Sequence, residues 1–186
     1  SDSEGKITGT QKTVDQSIQP GDGGLGFSIE LNGFRQLVHQ LYAYGNFFYL
    51  FNPRETNGVP TYRGNPYEAI MSVADQYMAR AGASYFFRQI HGLSASLGAR
   101  MECIPVHDLI GGSEGFRRPG YVISAEPAIS YMFGRSGFDL SVPIVLARNR
   151  TQSVPDKEQQ AATGTPQHGD AAFADYEINI GYSLDF

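Results

Sequence analysis

Residues 175–186 alternate without a fault. Tyr176, Ile178, Ile180, Tyr182, Leu184 and Phe186 fall on one face, and Asp175, Glu177, Asn179, Gly181, Ser183 and Asp185 fall on the other. A period of two commits this segment to a β-strand with one apolar side and one polar, partly charged side. A soluble sandwich would turn the apolar side inward. The segment ends on an aromatic residue, which is how outer-membrane β-barrel chains finish, with the apolar face toward lipid and the polar face toward the lumen. The expected fold is all-β, an antiparallel transmembrane β-barrel, and Tyr182, Leu184 and Phe186 are the expected signal to the barrel-assembly machinery.

The same plan recurs upstream. Alternating stretches are centred on Leu25–Leu31, Leu41–Phe51, Tyr77–Phe87, Leu93–Cys103, Tyr121–Tyr131 and Phe138–Ala147. With the last segment this makes about seven strands of the roughly 9 to 11 residues that a tilted membrane strand needs. Short connections near 35–40, 88–92 and 134–137 alternate with long polar ones at 53–69, 107–120 and 150–171. Barrels sort their connections in this way, with tight periplasmic turns and longer extracellular loops.

This assignment puts the start of the chain outside the cell, and it produces a conflict. An odd strand count cannot close a bacterial single-chain barrel, which uses an even number. Either 6–18 forms an eighth, poorly patterned strand, or the chain is the C-terminal part of a larger barrel. The second is favoured, because Ile7, Gly9 and Gln11 against Lys6, Thr8 and Thr10 offer lipid no apolar face. Residues 1–23 thus read as an extracellular loop or weak first strand, and 24–186 as barrel strands, with N-terminal strands of the same protein as a missing partner.

Composition removes several other classes. No run approaches the roughly 18 to 20 apolar residues of a transmembrane helix. A net charge of −5 without a basic run excludes nucleic acid as the expected partner. The lone Cys103 makes no intrachain disulfide and no Cys-rich metal framework exists. Ser1, Asp2, Ser3 and Glu4 show neither the basic start nor the apolar stretch of a signal peptide, so on the barrel reading that signal has been removed.

Chemistry-bearing motifs are sparse. Residues 21–26 satisfy G-x-G-x-x-G, but the dinucleotide function needs a helix afterwards, and a strand pattern follows. Residues 111–115 satisfy G-x-S-x-G around Ser113. A nucleophile elbow requires a strand-to-helix turn, whereas here a Gly-rich loop joins two strands, so an outer-membrane hydrolase is the weakest alternative. His107 with Asp108, and His168 with Asp170, offer sparse metal ligands, and loop-closing hydrogen bonds suit both aspartates better. No catalytic residue, metal or cofactor is expected.

The polar face carries Glu30, Arg80, Arg100, Glu102, Glu126, Asp139, Asp175 and Glu177. Charges of both signs on one face are costly unless paired or wet. In one reading Arg80 and Arg100 pair with Glu102 and Glu126 across neighbouring strands and fill the lumen. In the other, Glu30, Arg80, Arg100, Glu102, Glu126, Asp139 and Glu177 line a cation-favouring pore for small solutes. Tyr42, Tyr44, Phe47, Phe48, Tyr49 and Phe51 read first as an interfacial girdle; the alternative is a greasy ligand path, with Tyr44 and Phe48 facing the lumen. Arg117, Arg118, Arg148 and Arg150 fall at the outer rim, where they either grip lipopolysaccharide phosphates among the outer-membrane lipids or keep the loops soluble.

Several segments resemble a family of bacterial outer-membrane proteins usually described as transporters and related to the meta-pathway phenol-degradation barrels. The likeness is carried by the run from Val14 to Gly24, by Asn52-Pro53-Arg54 and Asp75-Gln76-Tyr77, and by the run from Asp108 to Tyr121. It continues through Val142-Pro143, Arg148-Asn149-Arg150 and the run from His168 to Tyr176. The resemblance implies a Gram-negative outer-membrane barrel passing small, hydrophobic or aromatic molecules, with this sequence in the C-terminal part of a longer protein and no catalytic residues.

Overall fold

The computed structural model describes residues 21, 23–168 and 174–186. The stretch 6–18 therefore lies outside the described residues, as do most of the 1–23 segment and Asp170. The fold is an antiparallel sheet curled into a half-barrel. Its strands are β1 (Phe27–Val38), β2 (Leu41–Phe51), β5 (Gln76–Phe86), β6 (Leu93–Ile104), β7 (Gly120–Phe133), β8 (Ser136–Ser141), β9 (Ile144–Arg150) and β10 (Asn179–Leu184). They lie in the order β1-β2-β5-β6-β7-β8-β10, with β9 paired to the other half of β7.

All seven alternating segments contain strands, and three boundaries differ from expectation, the last strand covering only Asn179–Leu184 of the segment 175–186. Residues 35–38 belong to β1, which pairs with β2 as far as Val38 opposite Leu41. The turn is only His39 and Gln40, with Gln40 at φ 69°. The segment expected over Phe138–Ala147 is split into β8 and β9 at Val142 and Pro143. Proline has no N–H to give the ladder and breaks it there. The register of β9 on β7 also slips between Ile123 and Ser124, leaving Leu146 as the extra residue. β8 and β9 together still cross the sheet once, so among the described residues the sheet has seven crossings.

Tight turns gather at one end. Gly92 there has φ 83°, which suits glycine, and its carbonyl accepts from the Met132 N–H at 2.9 Å. The long connections gather at the other end and hold structure of their own. β3 (Thr56–Pro60) pairs with β4 (Ile70–Ser72), and Phe116 bridges to Met71 in parallel. The third long connection contains a helix, α1 (Val154–Thr163), which the alternation analysis did not anticipate. Ser153 and Asp156 close a reciprocal capping box at its start, and Gly164 at φ 72° ends it.

The two faces differ sharply. On the apolar face Leu97 is 63% exposed and Ile180 79%, whereas on the polar face Ser124 is 2% and Glu126 4% exposed. The curl therefore encloses the polar face. With seven crossings in alternating directions, the two edges, β1 and β10, run the same way toward the tight-turn end. Among the described residues no helix is long and apolar enough to cross a membrane, which leaves crossing by strands untouched.

Candidate functional site on the enclosed face

Register fixes which side chains share a level on the enclosed face. One row runs Glu30, Phe48, Met78, Glu102, Val122, Arg148 across six strands. The next row toward the turns runs Asn32, Asn46, Arg80, Arg100, Ser124. A third runs Phe34, Tyr44, Gly82, Gly98, Glu126. Tyr44 and Phe48 thus face inward, as the ligand-path alternative requires, together with Tyr42, while Phe47, Tyr49 and Phe51 point to the apolar side.

Arg80 and Arg100 pair with Glu126 and Glu102 as expected, though neither pair joins neighbouring strands. Arg80 Nη1 lies 3.4 Å from Glu126 Oε1, reaching across the whole of β6 instead of to a neighbouring strand. It can do so because Gly98, opposite Glu126, has no side chain in the way. Arg100 donates to Glu102 Oε1 at 2.6 Å within β6 itself, and its other arm stands 3.9 Å from Glu177. Glu30 has amide partners, accepting from Asn32 Nδ2 at 3.0 Å and Asn46 Nδ2 at 2.9 Å. Asp139, opposite Gly181 and exposed, makes no ion pair among the described residues.

Glu126 has its second oxygen, Oε2, buried without a hydrogen-bond partner among the described residues. Beside it, the Tyr44 ring lies over the bare backbone of two strands. A Cβ added at Gly82 would come within 2.6 Å of the Tyr44 hydroxyl, and one at Gly98 would come closer still. An aromatic ring covering glycines of adjacent strands shields backbone that would otherwise be open.

A second polar cluster sits at the long-loop end. Arg117 donates to both oxygens of Asp108, at 2.6 and 2.8 Å, and to Ser72 Oγ at 2.6 Å. Asp108 Oδ1 also accepts from the Asp75 N–H at 3.0 Å. Asp75, fully buried, accepts from Tyr49 Oη, the Asn52 N–H and the Leu109 N–H. Arg117 is thus a buried loop tie, which corrects its placement among the outer-rim arginines. Arg118 stands 5.8 Å from the Phe116 ring, and Arg148 donates to Asp175 at 2.8 Å.

The remaining motifs find structural uses. Ser113 is buried and its Oγ accepts the Asp108 N–H at 3.0 Å. No strand-to-helix turn surrounds it, so the elbow geometry is missing. Among the described residues no group of three or more His, Cys, Asp or Glu side chains could hold a metal. Sequence reasoning singled out none of Asn46, Gly82 and Gly98 for the site. The two glycines interrupt nothing in the alternation, and only the register shows Tyr44 lying across them.

Fold and site together define a curled antiparallel sheet with an apolar outer face and a charged, ion-paired inner one. No protein-family model, curated protein or solved structure matches the chain.

Proposed function

We propose that this chain is one wall of a transmembrane β-barrel in the outer membrane of a Gram-negative bacterium, through whose lumen small solutes pass. One observation carries the reading. On the apolar face Tyr49, Tyr77 and Tyr121 lie at one level near the long loops, and Tyr131, Phe138 and Tyr182 at another near the tight turns. Between them stand small and aliphatic residues such as Ala81, Ala99, Leu97 and Ile129. The two levels meet β6 at Cys103 and Leu93, ten residues apart. At about 3.3 Å per residue and a tilt of about 40°, that separation spans about 25 Å, the height of the lipid-facing band between two aromatic girdles.

Arg35 is the charged exception on this face. It stands eight residues from Phe27, toward the turn end of β1, where a long side chain can carry its guanidinium out to the interface.

Closure follows from the edges. Because β1 and β10 run the same way, joining them directly would make a parallel seam. A second copy inserted in the same sense would meet the first in a parallel seam too. An all-antiparallel barrel needs an odd number of further strands between them, in keeping with the resemblance to the C-terminal part of longer transporter barrels. The exposed edge of β1 is where those strands would add.

The rival reading is a structural barrel whose lumen is plugged by Arg80–Glu126 and Arg100–Glu102, and those ion pairs are what favour it. Planar bilayers separate the two. The complete barrel should conduct, and Glu102→Gln with Glu126→Gln should lower its preference for cations. A folded barrel that carries no current is the plugged one.

A further inference from the structure

A cavity of about 350 Å³ opens over the row Phe48, Met78, Glu102 and Val122. Ile104 bounds it toward the long loops, and Gly120, opposite Ile104, leaves room. This is the small end of ligand cavities, sized for a molecule of one or two rings. Its walls are largely apolar, with Gln76, Tyr77, Cys103 and the Glu102 carboxylate, whose side chain is 45% exposed, as the polar members.

The surrounding charge balance gives the cavity a sign. Glu30, Glu102, Glu126 and Glu177 are four carboxylates against the three guanidiniums of Arg80, Arg100 and Arg150, the last opposite Gly120, an excess of one negative charge. Arg148, in the row of Glu102, is taken by Asp175. An entering anion would look to Arg100, which already faces Glu102 and Glu177. An entering cation would meet the uncompensated side of that arrangement.

We propose that this cavity binds a small organic cation with an apolar body, of the aralkylammonium class. The ring lies against Phe48, Met78 and Val122, where a thioether and an aromatic face suit it. The ammonium sits at Glu102, within reach of the Phe48 ring face for a cation–π contact. The inference deepens the channel reading and rests on it only in requiring that the enclosed face be open to solutes.

The test sets phenethylammonium against phenylpropanoate, ligands of similar shape and opposite charge, on the complete barrel in a zwitterionic detergent by titration calorimetry. The ammonium should bind about tenfold more tightly, the scale of one charge-assisted hydrogen bond. Glu102→Gln should erase that preference and Glu102→Asp should keep it, with heat-shifted gel mobility showing that each variant is folded. Equal affinities, or a preference untouched by E102Q, would overturn the assignment. Conductance measured on the same preparation keeps the two readings apart. Preference without current leaves the cavity standing and ends the channel, and current without preference does the reverse.

Discussion

Arg117 and Asp108 meet through two parallel hydrogen bonds of 2.6 and 2.8 Å, with side chains 1% and 0% exposed. A forked pair this deep leaves either charge buried without its counter-ion when the other is removed, so breaking it from one side costs far more than removing it whole. Arg117→Met, which strands the Asp108 carboxylate, should lower stability by about 3 to 5 kcal/mol. Adding Asp108→Asn to that variant should restore part of the loss, since the amide oxygen still accepts the Asp75 N–H. Urea unfolding followed by gel mobility measures both, and a double variant no better than the single would remove the buried-charge account.

Gly98 and Tyr44 form a fitted pair on the enclosed face. Gly98→Ala puts a methyl group where the Tyr44 hydroxyl and the Ala81 carbonyl already sit. The ring must swing away, at a cost of about 1 to 3 kcal/mol, typical of overpacking. Tyr44→Ala should then cost less in the Gly98→Ala background than in the wild type. A double-mutant cycle reads that coupling directly, and strictly additive losses would deny the contact.

How much of this was visible beforehand depended on local period. β6 was legible because Leu93 to Cys103 alternates without interruption, and its partners follow the same rule. α1 was not, because 154–163 has no apolar stripe and is defined by its ends, Ser153 with Asp156 and Gly164. The β1–β2 turn was overestimated because Gln40, at φ 69°, takes a position usually marked by glycine or asparagine. Arg117 beside Arg118 reads as a solvated pair until folding brings Asp108, Ser72 and Gly112 around the first of them. The face of each charged residue was readable from parity. The reach of each pair was not, since Arg80 meets Glu126 across a whole strand, over a residue without a side chain.

Glu55 and Glu114 tie two long loops through their carboxyl groups. Glu55 accepts the Glu114 N–H at 2.8 Å. The hydrogen bond between the two carboxyl groups, and then burial, hold the Glu55 carboxyl above the ordinary glutamate range, against the Glu114 N–H, which lowers it. The same carboxyl–carboxyl hydrogen bond, and then the Ser113 N–H, hold Glu114 below that range. Stability from the raised group is full below its unfolded pKa and is lost as pH rises through its folded pKa. That from the lowered group is present above its unfolded pKa and is lost as pH falls through its folded one. The pair is therefore tightest in mild acid, with one proton between the two, and loosens toward neutrality. Glu55→Gln keeps a donor at every pH. Its thermal midpoint should fall less than that of the wild type between about pH 5 and pH 7. Parallel curves would mean that the two carboxyls do not share a proton.

Leu97 lies on the apolar face, four residues from the lower aromatic level at Leu93 and six from the upper one at Cys103. In hydrocarbon an arginine near mid-depth costs about 2 to 4 kcal/mol, and one at an interface about 0 to 1. Leu97→Arg should therefore lose most of its folding yield into lipid vesicles, and Leu93→Arg should lose little. Ser96→Arg, the next residue but on the enclosed face, should insert nearly as well as the wild type. The depth dependence is the informative part. A soluble sheet would not penalise arginine at Leu97, because water already covers that side chain. Equal folding of all three in buffer without detergent would therefore leave the apolar band with no membrane to meet.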